Sequence, residues 1–264
     1  MNTNIDANQL VREAIQNGFR VPREAQTHWR YRELSQNDGK EELREVIETN
    51  EGDISRLLAI NNEPLPPNQD QLENSRIQKL TAHPEQVRKE QVKQDEDSKK
   101  ERQLLQSFPR AFIYRYAGME RGFAKIEFTP NPDFRASTRE EQVFHHMKGV
   151  IWIDNRQKHL AGIEGTLTSE VKFGAGLLGH LEKGGTFSVR WTDLGKGDWE
   201  MESLDVHMKG KALFFKTISV QQKERCTNYE PVPAGMTLQK AAQQLLQHGS
   251  NTLAEIHLPK SRGN

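Results

Sequence analysis

Between residues 148 and 231 the chain turns back on itself every ten to fifteen residues, and no run between those turns has helical spacing. GVIWID is followed by DNRQ, TFSVRWT by LGKGD, and DWEMESLDVHM by KGK, and Phe187, Val189 and Trp191 alternate with polar side chains. Turns this short leave no room for the crossover that a parallel pair requires, so consecutive strands must pair antiparallel as hairpins. Ile163, Gly165, Leu167, Ser169, Val171 and Phe173 keep period two over eleven residues. One strand of that length would run roughly 36 Å at about 3.3 Å per residue, too long for an ordinary small sheet.

The first half of the chain mixes both periodicities. DANQLVREAIQ places Leu10, Val11, Ala14 and Ile15 at helical spacing behind Asp6, a side chain suited to an N-cap. THWRYRELSQ, EELREVIET and DISRLLAI follow, separated by NDGK and NEG, and read as a three-strand antiparallel meander. Residues 66 to 108 then change character, with few β-branched or aromatic residues and many helix formers, which predicts two inserted helices broken near Pro84. The second helix has Val87 and Val92 and then no apolar side chain until Leu104, so its middle faces water on all sides. Strands resume at RAFIYRYAG and FAKIEFTPN, a short helix follows Ser137 or Thr138, and GMTLQKAAQQLLQHG closes the chain as an amphipathic helix before a polar tail. Long strands in hairpins with helices set apart from them predict an α+β fold.

FGAGLLGHLEKGGTF, residues 173 to 187, holds five glycines, and Gly174, Gly176 and Gly179 have the spacing of the dinucleotide fingerprint. That fingerprint works only between a strand and a long helix, so that the pyrophosphate meets the helix N-terminus. Here only HLEK separates Gly179 from Gly184, and strands flank both sides. The stretch therefore reads as a wide loop at a sheet rim, with glycines permitting close backbone approach. Phe173, Leu177, Leu178 and Leu181 are poor choices for a solvated turn. Either the loop folds back over the end of the sheet, or it lines the entrance of an apolar cavity.

Composition removes several function classes. Lys plus Arg equals Asp plus Glu at 37 each, which supplies no net field for a polyanion. The stretch PEQVRKEQVKQDEDSKKER mixes signs and has no aromatic residue to stack a base, so nucleic acid is not expected. A mean hydropathy of -0.83 implies that much of the chain is solvated helix or loop. No window approaches the ~20 apolar residues of a membrane span, and MNTNIDANQLVREAIQNGF contains no apolar run that reads as an export signal. His145 and His146 are adjacent, and His159, His180 and His207 fall on different hairpins, so no metal-ligand spacing occurs and no metal or cofactor is expected. Cys226 beside Arg225 has no placed histidine, and Glu164, Glu170, Glu200 and Glu202 are carboxylates of the kind any polar sheet face carries. No catalytic residue is assigned, and a single cysteine fits cytoplasm and periplasm equally.

The order of helix, meander, inserted helices and hairpins, with the phrase GVIWID at 149 to 154, resembles the LolA-like superfamily of bacterial envelope proteins. The text IEGTL, VKFGAGLLGHLEKGGTF, WEM and GKALFFKTISVQQ is similar to a group of uncharacterised bacterial secreted proteins. The resemblance implies a strongly curved antiparallel sheet, an open half-barrel, with helices packed on its concave side and short helices at both ends. It implies one such domain over 1 to 232 with the helical insert 66 to 108, then a C-terminal helix and tail over 233 to 264. It also implies a periplasmic or secreted setting. In carriers of this kind the hollow receives acyl chains, so the implied apolar lining here is Ile163, Leu167, Val171, Phe173, Leu177, Leu178, Phe187, Val189, Trp191, Phe214 and Ile218. Two readings stay open: a non-enzymatic binder of a lipid, acylated protein or other amphiphile, and a filled-core scaffold that uses the 85 to 103 helix for a protein partner. An apolar inward face looks the same in both.

Overall fold

Asp6 starts the first helix, its carboxylate accepting the backbone N–H groups of Asn8 and Gln9 at 2.9 and 3.1 Å. The computed structural model describes residues 6–18, 27–37, 39–173, 179–212 and 216–249. In chain order the elements are α1 (Ala7–Asn17), β1 (Trp29–Asn37), β2 (Lys40–Ile47), β3 (Ile54–Ile60), β4 (Glu63–Pro64), α2 (Pro67–Ala82) and α3 (Pro84–Ala111). There follow β5 (Phe112–Glu120), β6 (Phe123–Pro130), α4 (Arg139–Gln142) with a 3-10 turn over Val143–His146, β7 (Met147–Asp154) and β8 (His159–Leu167). The chain continues through β9 (Val171–Phe173), β10 (Gly179–Leu181), β11 (Thr186–Asp193), β12 (Trp199–Ala212), β13 (Lys216–Pro231) and α5 (Leu238–Gly249). The fold is α+β, as the hairpin pattern predicts.

Two compact units divide these elements. One comprises residues 1–26 and 97–223, the other 27–96 and 224–264, so that α3 and β13 each contribute a segment to both. In the second unit the strand order is β4-β3-β2-β1-β13; in the first it is β13-β12-β11-β8-β7-β6-β5, with β10 pairing β12 and β9. Among the described residues β4 and β5 each pair with a single strand, so the antiparallel sheet is open and not a closed barrel.

In the second unit, α2 and α5 bury Ile77, Leu238, Ala241, Ala242 and Leu245 against Ile47 and Ile54 of the meander. Arg56 is only 1% exposed, yet its guanidinium donates to Asp70 at 2.5 Å and Asn74 at 2.6 Å, which clamps β3 to α2. Glu73 accepts the Leu57 backbone N–H at 2.8 Å and pairs with Arg76. Burial pushes the Glu73 carboxyl up, but those donors outweigh it and hold the group below the usual carboxylate range. On α3, Val87 is buried in this core, whereas Val92 is 56% exposed. The break at Pro84 follows from the restriction that proline places on the residue before it.

The first unit holds the larger core. Phe108, Phe112, Phe128 and Phe144 pack as one aromatic cluster, with ring centroids 4.5 to 5.5 Å apart, and the buried Tyr114 hydroxyl donates to the Phe108 carbonyl at 2.6 Å. Thr138 caps α4 in a capping box with Glu141, and the Ser107 hydroxyl donates to the same Glu141 carboxylate at 2.5 Å. These bonds pin the loop between β6 and β7 to the end of α3.

Two sequence expectations change. The eleven-residue strand 163 to 173 is divided, because β8 ends at Leu167, opposite Met147, the first residue of β7. Beyond that point no β7 edge remains to pair with. Thr168 donates instead to the His146 carbonyl, Ser169 meets the His146 ring at 2.7 Å, and the chain resumes as β9. The glycine-rich stretch is likewise not all loop, since Gly179–Leu181 forms β10 between β9 and β12. A side chain at Gly210 on β12 would place its Cβ 2.2 Å from the His180 carbonyl oxygen, so glycine there is what lets β10 dock.

Candidate functional site

Two apolar rows cross five strands of the first unit. The register sets Ile126, Ile151, Ile163, Val189 and Leu204 side by side on β6, β7, β8, β11 and β12. The neighbouring row is Phe128, Gly149, Gly165, Phe187 and Val206. Directly opposed residues on paired strands share a face, so each row is a continuous apolar strip. Glycine occupies the middle of the second row because the phenylalanines lie over it. An added Cβ at Gly165 would fall 2.2 Å from the Phe187 ring, and one at Gly149 would fall 2.7 Å from the Phe128 ring and 1.8 Å from the Glu164 carbonyl oxygen.

Burial along the rows is graded. Ile126, Ile151 and Ile163 are 0%, 1% and 5% exposed, whereas Val189 and Leu204 are only half-buried. The cause is α1, whose Leu10, Val11, Ala14 and Ile15 pack against β5, β7 and β8. Asn17 fixes the end of that helix by donating to the Lys158 carbonyl at 2.9 Å in the β7–β8 turn. Phe187, Val189 and Trp191 on β11 touch the core but stay partly exposed, and Met201, Leu204 and Val206 are half-buried. The reverse face of the same strands is polar: Arg190 pairs with Glu164 at 2.6 Å and stands 5.3 Å from the Trp152 ring centroid.

The expected lining therefore divides into three groups. Ile163, Leu167 and Val171 are fully packed core. Phe173, Phe187, Val189 and Trp191 rest against that core with part of their surface open. Leu177, Leu178 and Phe214 lie outside the described residues, as do Gly174 and Gly176, and Ile218 is on β13 with its side chain outside them. Gly179, the third glycine of the fingerprint spacing, opens β10 at φ 130°, and the chain goes on to β11 rather than into a helix.

Met201 is a residue of this face that alternation alone does not reveal, whereas Leu204 and Val206 follow it. A bulge between Arg190 and Trp191 pairs Trp191 with Met201 but Val189 with Leu204, so an odd-numbered and an even-numbered residue of β12 reach the same face. Where the rows end, a cleft of about 430 Å³ opens beside the turn between β10 and β11, with Lys183, Gly185, Met208, Lys209 and Gln221 in its wall.

The histidines are spread over separate contacts. His159 stacks on Trp199 at 4.7 Å, and burial pushes its ring below the usual imidazole range; His146 meets Ser169, and His207 lies 2.8 Å from Asp205. Cys226 is buried in the second unit. Among the described residues no group of three or more His, Cys, Asp or Glu side chains could hold a metal ion, and no helix is long and apolar enough to cross a membrane.

Fold and face together define an α+β protein with an open antiparallel sheet and an apolar surface that its first helix covers only in part. No family model, no curated protein and no solved structure matches the chain.

Proposed function

We propose that this protein is a non-enzymatic binder that receives the apolar chain of a lipid, acylated protein or other amphiphile on the β11–β12 end of the two rows. The LolA-like resemblance implies the same class of ligand and a periplasmic or secreted setting. The observation that carries the reading is the burial gradient: one apolar face runs from 0% exposed Ile126 to half-open Leu204 and Val206 without any polar interruption. Each CH₂ moved from water onto such a face contributes about 0.8 kcal/mol, so a sixteen-carbon chain gains on the order of 10 kcal/mol before ordering costs. No chemistry is assigned to the site.

The filled-core scaffold is the second reading, favoured by the complete packing of Ile163, Leu167 and Val171. Displacement of a fluorescent fatty acid separates the two. Val206→Asp places a charge on the open end of the strip, away from the buried residues. Binding should weaken tenfold or more, about 1.4 kcal/mol, while the protein stays folded with a stability loss of about 1 kcal/mol, the usual value for a site outside the core. Wild-type protein that binds no fatty acid, phospholipid or acylated peptide would sink the carrier reading and leave the scaffold.

A further inference from the structure

We infer that the amphiphile carries an anionic head group, a carboxylate or phosphate, seated in the cleft beside the β10–β11 turn; this rests on the reading proposed above. The cleft, at about 430 Å³, is within the size range of small-ligand sites. It opens where the apolar face ends. An added Cβ at Gly185 would fall 2.7 Å from Met208 Sδ and 3.3 Å from Leu167 Cδ1, so the turn lies directly on the last side chains of the core. Met208 belongs to both, packing on the core and lining the cleft.

The rest of the wall is polar and its charge is unbalanced. Lys183 on the turn and Lys209 on β12 are exposed, and neither pairs with a carboxylate among the described residues. Glu182 is the one carboxylate in the wall, against two ammonium groups; His207 faces Asp205 at 2.8 Å. The backbone offers less: the N–H groups of Glu182 and Gly184 already donate to the Lys209 and Leu167 carbonyls, each at 2.8 Å. Recognition therefore falls to the two ammoniums and the Gln221 amide. A neutral or cationic head group would leave the excess positive charge of the wall unmatched, whereas an anion on a chain reaching toward Phe187 and Val206 satisfies charge and apolar face together.

The test displaces a fluorescent fatty acid from the intact protein with dodecanoate, dodecyl phosphate, dodecanol and dodecyltrimethylammonium, and with acetate and inorganic phosphate as chainless anions. Wild type should favour the two anionic amphiphiles about tenfold over dodecanol, with the preference shrinking in 0.5 M salt, on the order of the screening expected for exposed charges. Lys183→Gln with Lys209→Gln should abolish the preference, bringing dodecanoate and dodecyl phosphate down to the affinity of dodecanol, and a preference that survives the double substitution overturns the inference. Equal binding of dodecanoate and dodecanol by wild type overturns the head-group inference while sparing the proposed function. Displacement by acetate or inorganic phosphate at the same concentrations also overturns it, since the cleft would then be an anion site independent of any chain. No displacement by any amphiphile overturns both.

Discussion

Gly149 and Gly165 stand opposite each other on β7 and β8, and what would crowd a side chain differs between them. At Gly165 the obstacle is the Phe187 ring, which has a half-open strip to move into; at Gly149 it is the Glu164 carbonyl oxygen, part of the sheet itself. Gly165→Ala should therefore cost about 1–3 kcal/mol, the usual range for overpacking, and Gly149→Ala more, as read from urea midpoints. Equal losses would mean that the ring is as rigidly held as the backbone. Two titrating groups give a second residue-scale expectation. Burial, and then the charge of Glu224, push the Glu33 carboxyl up. Its folded form keeps the proton to higher pH than the unfolded one, so its contribution is present below the unfolded value and lost as pH rises through the folded value. Glu33→Gln should thus be more stable than wild type at pH 7, with the gap closing toward pH 4. His159 has the opposite sign: burial lowers its folded pKa, so stability is complete above about pH 6.5 and falls as the pH drops below it. His159→Phe keeps a ring against Trp199 and should flatten that acid limb.

At the scale of elements, the contrast is between a helix that covers and a helix that does not. Helix α1 buries five apolar side chains in its eleven residues, so Val11→Asp should destabilise the protein by several kcal/mol, near the upper end for a core position, through a buried unpaired charge. The stretch 93 to 103 of α3 has no apolar side chain to bury. It should open locally at small cost, and its amides should exchange with deuterium well before those of 161–167 in β8. Equal protection in the two segments would require a partner docked along the helix. Alternation and turn signals were enough to read β1 to β3, β5 to β8 and β11 to β13, and the break at Pro84, because those signals are local. The division of 163 to 173 was not readable, since β8 stops where its neighbour β7 begins and that neighbour's first residue is a matter of pairing.

For the whole molecule, the amphiphile reading predicts that freshly purified protein carries lipid, visible as added mass under native conditions, and that NAD and ATP at millimolar concentration give no saturable heat. A saturable signal lost in Gly179→Val would restore the nucleotide reading. The sequence by itself determined the fold class, the antiparallel pairing, the helix positions and the set of apolar residues on β8 and β11, because each follows from spacing along a few turns or strands. It also carried the argument against the fingerprint, since a stretch that runs into hairpin strands leaves no helix N-terminus for a phosphate. Only the tertiary structure decided which of those residues are covered. Ile163 and Val189 are indistinguishable in the alternation, yet α1 packs on the strand of the first, and the second is left half-open. Lys183 and Lys209 lie far apart along the chain and meet at one cleft only because β10 pairs with β12. Cover and convergence are properties of long-range contacts, and a β-bulge that moves Met201 to the face of Leu204 changes them without leaving a mark in the local pattern.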